Sequence, residues 1–123
     1  MRVNHYVGNY ADDSRHGVNG GWIVGVFMES SPRRTGDIEI KYWEYPAGPT
    51  EHPAKISKTT EVTFILKGET VAEIDGERLV LKAGDYVVIS PDTPNNTVVE
   101  ILSNAAGLTV KAPSDPFAKK IIS

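Results

Sequence analysis

Apolar residues in this chain recur with period two or in runs of four to seven, and Gly, Pro, Asn and Asp bound each run. That pattern predicts short strands joined by turns, with almost no helical periodicity. Residues 22–28, WIVGVFM, read as one strand. DIEIKYWEY (37–45) alternates, with Ile38, Ile40 and Tyr42 on one face and Glu39, Lys41, Trp43 and Tyr45 on the other. A Pro/Gly loop follows, and then a strand over 61–66. VAEIDGERLVL (71–81) predicts a hairpin, because Asp75-Gly76 supplies the positive φ that a two-residue turn needs. DYVVIS (85–90), TVVEIL (97–102) and GLTVKA (107–112) complete the set, with Pro91, Pro94 and Asn104 as breaks. The tail from Pro113 is expected to form a helical turn or to lay Phe117 and Ile121 on the outside. The polar stretches 1–21 and 29–37 lack apolar anchors, so they are the segments expected to move most.

About eight short strands without crossover helices predict an antiparallel sandwich or barrel, since closing the sheet removes its exposed edges. With 123 residues and 40% hydrophobic content the chain supports one core, so 1–123 reads as a single domain. Cysteine is absent, which removes disulfides, thiol nucleophiles and thiolate metal sites. The net charge of −3 argues against a nucleic-acid or anionic-membrane partner. The N-terminus has no apolar signal core and no run approaches the ~20 residues of a membrane span, so the expectation is a cytoplasmic protein.

Spacing narrows the fold. From Gly48 the chain runs five residues to Ala54, then through Ile56 and Glu61 to Gly68, and a spacer (69–83) leads to Gly84 and GDYVVISPDTPN. These blocks, 48–68 and 84–95, resemble the two cupin motifs. The first motif is Gly, five residues, His-any-His, three or four residues, Glu, six residues, Gly. The second is Gly, five residues, Pro-any-Gly, two residues, His. The resemblance implies an all-β, jelly-roll-like antiparallel barrel, preceded here by a short polar segment. It also implies a metal position built from three imidazoles and one carboxylate. In this chain the paired His positions fall on Ala54 and Ile56, or on Lys55 and Ser57 with the shorter spacing. Ser90-Pro91-Asp92 replaces Pro-any-Gly, Asn95 stands at the third His, and Glu61 alone remains. Such a set is poor for Fe, Mn, Zn or Ni, and Mg or Ca would want more carboxylates, so no tightly held metal or other cofactor is expected.

Candidate chemistry therefore centres on Glu61, either wet at a barrel rim or inside a cavity as an acid, a base or a ligand contact. An unpaired buried charge costs several kcal/mol, so a buried Glu61 calls for a partner such as Lys41 or Lys55. Thr63 shares its face, two residues on, and Ser57 flanks it in sequence. Turned inward, Lys41 and Trp43 would offer an ammonium and an aromatic wall to a sugar or carboxylate; turned outward, they are an ordinary wet sheet face. His52 reads as a surface loop residue, or as a general base if a bulge turns it in. Asn95 enters through the resemblance, at the barrel mouth.

The primary expectation is a binding barrel for a small sugar- or carboxylate-like molecule. One alternative is a metal-independent isomerase, epimerase or lyase using Glu61 and His52; another is a metal enzyme with non-standard ligands. A homodimer is the expected assembly, with residues 22–28 contributing to its interface.

Overall fold

The computed structural model describes residues 4–16 and 20–122. Nine antiparallel strands form one curled sheet, the cupin barrel architecture: β1 (Trp22–Val24), β2 (Glu39–Tyr45), β3 (Gly48–Pro49), β4 (Lys55–Ser57), β5 (Thr60–Ile74), β6 (Glu77–Lys82), β7 (Tyr86–Ile89), β8 (Asn95–Ala112) and β9 (Lys119–Ile121). Two strands organise the rest. The first half of β5 lies between β7 and the second half of β8, while its second half lies between β6 and the first half of β8. Each long strand thus passes from one half of the curled sheet to the other, and the β5–β8 register slips repeatedly between Ile65 and Glu73 as they bend.

That bend corrects the break expected at Asn104. Residues 95–112 are one strand. The chain crosses the corner without a loop because Gly68, at φ 77°, brings the β5 backbone against Asn104 and Ala105. A Cβ on Gly68 would lie 2.3 Å from the Asn104 carbonyl oxygen. The β5–β6 hairpin forms as the sequence indicates, with Asp75 and Gly76 at φ 50° and 81°.

Three other expectations are revised. The apolar run 22–28 is a strand only to Val24; Gly25 then turns the chain, Met28 is buried, and Phe27 folds back to 4.8 Å from Trp22. Residues 29–37 do have an anchor, because Arg33 donates from Nε and Nη2 to the carbonyls of Ile23 and Trp22. The polar N-terminal segment contains a seven-residue helix, α1 (Tyr10–His16), whose Tyr10 ring packs 4.5 Å from Tyr42 on the outer side of β2. Residues 1–3 and 17–19 of that segment lie outside the described residues. At the other end the tail forms β9 against β4, and Phe117 stays exposed. No helix among the described residues is long and apolar enough to cross a membrane.

The core is a cluster of Trp43, Ile65, Ala72, Leu81, Val98, Ile101 and Ala105. It fills only one end of the barrel. At the other end the inward positions of β2, β5 and β8 are polar.

Gly68→Ala should cost about 2–4 kcal/mol, combining left-handed strain with a backbone overlap that cannot relax. Gly36→Ala, in open space, should stay within about 0.5 kcal/mol of wild type. Urea denaturation checks both; equal stabilities would remove the corner constraint.

Candidate functional site

The register aligns inward residues in rows across β2, β8 and β5. Glu39 lies opposite Lys111, which lies opposite Glu61; Lys41, Thr109 and Thr63 form the next row; Trp43, Gly107 and Ile65 form the third. The first two rows are polar and the third opens the apolar core. Gly107 is required in its row, because a Cβ there would lie 2.2 Å from Trp43 Cζ2. The indole N–H of Trp43 donates to Thr109 Oγ1 at 3.1 Å, tying the core to the polar rows.

Above these rows is a cavity of about 350 Å³, near the small end of the range for organic ligands. Its walls include Trp43 and Tyr45, stacked at 5.4 Å, and the Trp22–Phe27 pair. Four lysines also line it, Lys41, Lys55, Lys111 and Lys119, with three acids, Glu39, Glu61 and Asp115.

Glu61 is the centre of this charge cluster and is 2% exposed. Lys55 Nζ donates to its Oε1 at 2.7 Å, Lys111 Nζ stands 3.8 Å from the same oxygen, and Thr63 Oγ1 donates to Oε2 at 3.3 Å. Lys55 also donates to Asn95 Oδ1 at 3.1 Å. Two ammonium groups therefore share one buried carboxylate, which offsets the desolvation an isolated charge would suffer. Lys111 carries the strain of this sharing. Burial, and then the charge of Lys55, push its pKa below the ordinary lysine value, against the opposing pull of Glu61 and Glu39. Lys41 is lowered too, by burial first and by Lys119 second.

Nearer the mouth, His52 sets its exposed ring edge-on to Tyr45 at 5.0 Å. The covering of its inner side, with Lys41 and Lys119 nearby, holds its pKa below the usual histidine value. The structure thus brings Glu61, Lys55, Thr63 and Asn95 together, and places Lys41, Trp43 and His52 on the cavity wall. Ser57 stands apart: it is buried, bonded through Oγ to Thr59 Oγ1 at 2.8 Å, and is not among the cavity-lining residues. Lys111, Thr109, Glu39 and Lys119 are site residues that the sequence pattern did not single out.

Residues 41–99 match the family model described as a cupin domain. The fold around that match is the cupin barrel. Among solved structures it is similar to a cupin protein from Bacteroides fragilis, at TM-score 0.57 and 24% identity, covering 68% of this chain and 71% of that one. It is also similar to the DMSP lyase DddQ from Ruegeria pomeroyi, at 0.65 and 21%, covering 79% of this chain and 49% of that one. A third similar structure is Streptomyces Pac13 with uridine, a nucleoside dehydratase, at 0.62 and 11%, covering 75% and 73%. These likenesses establish the cupin fold. No curated protein matches the sequence.

The metal position that cupin motifs imply does not fit the residues of this site. Lys55, at one of the candidate His positions, puts an ammonium on Glu61, and Lys111 adds a second. A divalent cation there would face two positive charges and, among the described residues, no cluster of three His, Cys, Asp or Glu.

Glu61→Gln should destabilise by about 2–4 kcal/mol, because it leaves two ammonium groups facing each other without a counter-charge. In a Lys111→Met background the same change should cost distinctly less. Equal costs in the two backgrounds would show that the lysines are not coupled through Glu61. The folded protein releases the Lys111 proton at lower pH than the unfolded chain does. Wild-type stability should therefore rise relative to Lys111→Met between neutrality and pH 10.5; a flat difference across that window would contradict the lowered pKa.

Proposed function

We propose that this cupin barrel binds a small organic molecule, carboxylate- or sugar-like, in its cavity without a resident metal. The observation that carries the reading is the pair of polar rows on the buried face of β2, β8 and β5. A barrel built only for stability would fill that end with apolar side chains, since buried charges gain little over well-packed hydrophobic ones. Here Val62 and Phe64 on β5, and Leu108 and Val110 on β8, alternate with the polar positions and take the outer side of the sheet, while Glu61, Thr63, Thr109 and Lys111 face in. Lysine ammonium groups would donate to a ligand carboxylate, the Trp43–Tyr45 wall would cover its apolar part, and Glu61 would accept from a hydroxyl.

A second reading is a metal-independent lyase, isomerase or epimerase, favoured by one observation. The lowered pKa of His52 leaves its ring neutral at pH 7 on the cavity wall, able to take a proton from a bound substrate. Two structures of similar fold are named a lyase and a nucleoside dehydratase, and a single well-placed base can initiate an elimination.

Thermal-shift measurements against a panel of small carboxylates and sugars test the binding reading. Stabilisation by at least one class is expected, and it should be reduced in Lys41→Met. A stabilising compound that is indifferent to every cavity substitution would place its site elsewhere. Carboxylate affinity should fade as pH rises through the lowered pKa values of Lys41 and Lys111, before the 10.5 of a free lysine. Turnover of a bound compound, lost in His52→Gln, would establish the enzyme reading; binding without turnover would leave the binding module.

A further inference from the structure

The charges of the cavity fall into two groups. At the buried end each acid is engaged: Glu61 by Lys55 and Lys111, and Glu39 by Ser114 Oγ at 3.2 Å. Asp115 accepts from the Phe117 amide at 2.8 Å. Lys41 and Lys119, with His52 beside them, are different. Neither lysine is ion-paired among the described residues, and Lys41 Nζ instead lies 5.4 Å from the centroid of the Trp22 ring. After burial, the Lys119 charge disfavours the protonated form of Lys41, and both charges disfavour that of His52. A chain with sixteen acidic residues could have set one between them, yet this pair of charges stands uncompensated on a cavity wall.

Flat apolar surface adjoins these charges. Along the inward face of β2, Lys41 precedes Trp43 and Tyr45, and in the β1–β2 register it lies opposite Trp22. Trp43 is fixed in place, with Thr109 holding its N–H and Gly107 behind its ring. At the far end Glu39 and Glu61 are balanced by Lys55 and Lys111, so the positive charge left without a partner lies with Lys41 and Lys119, and an anionic ligand would point its charge there. An uncharged ligand would leave the Lys41–Lys119 pair without a counter-ion.

Resting on the ligand-binding reading above, we propose that the cavity takes an aromatic or conjugated carboxylate. Its anionic group lies between Lys41 and Lys119, and its ring lies along Trp43 and Tyr45.

Calorimetric titration of the whole chain with benzoate, benzamide and acetate tests this. Benzamide keeps the shape of benzoate without the charge, and acetate keeps the charge without the ring. Benzoate should bind about tenfold or more tightly than either. Lys41→Met and Lys119→Met should each weaken benzoate about tenfold, bringing it toward benzamide and flattening its salt dependence, while Lys41→Arg retains the preference and Lys82→Met changes nothing. Benzamide equal to benzoate, or a preference that survives both Met variants, would overturn the proposal. Binding of glucose without benzoate would overturn it while leaving the ligand-binding reading intact, and failure of every probe would count against both.

Discussion

A carboxylate held out of water must be neutralised where it sits, and in this protein the obligation falls on Glu61. With 2% of its surface exposed, it depends on Lys55, Lys111 and Thr63. Thr63 shares its strand and Lys111 faces it directly in the β5–β8 pairing, while Lys55 reaches it from β4, which pairs with the other end of β8 at Asn95 and is brought across by the curl of the sheet. The Lys55–Glu61 contact therefore depends on the curl of the sheet. Removing the carboxylate strands two cations in a poorly hydrated space, and flattening the sheet would take Lys55 away from the carboxylate while leaving Lys111 opposite it.

The same requirement explains the unusual distribution of polarity. Antiparallel strands commonly turn apolar side chains toward the interior and polar ones toward solvent. Along β5 and β8 the half of the barrel nearest the cavity does the opposite, and exposed Phe64 and Leu66 lie on the outer side. Stability is recovered at the other half, where Trp43, Ile65, Ala72, Leu81, Val98, Ile101 and Ala105 pack together. Trp43 joins the two regimes, buried against the core on one side and bonded to Thr109 of the polar rows on the other.

Much of the scaffold was legible in the sequence, and for definite reasons. Period-two alternation and turn residues gave the strands. The intervals around Gly48, Gly68 and Gly84 carried the family because all three positions adopt positive φ, and Asp92, standing where the motif has glycine, does so as well at 62°. Glu61, Lys55, Lys41 and Trp43 were recognisable from that frame. Lys111 and Thr109 were not. In GLTVKA the apolar Leu108 and Val110 look like the inward pair, and only the pairing of β8 with β2 and β5 shows that their neighbours face the cavity. The helix at 10–16 escaped notice because seven residues hold too few turns to display a period. The continuity of β8 escaped because Asn104 reads as a turn residue unless the opposing Gly68 is known to be in contact with it.

In the motif that this chain resembles, Glu61 belongs to a metal. Here two ammonium groups supply positive charge to that carboxylate from within the chain. The cavity is then free to present its remaining lysines to a ligand instead of a cation. Elemental analysis of the protein purified without chelator tests this account most directly: it predicts transition metal far below one equivalent, unchanged in Glu61→Gln. Near-stoichiometric metal that is lost with that substitution would contradict it.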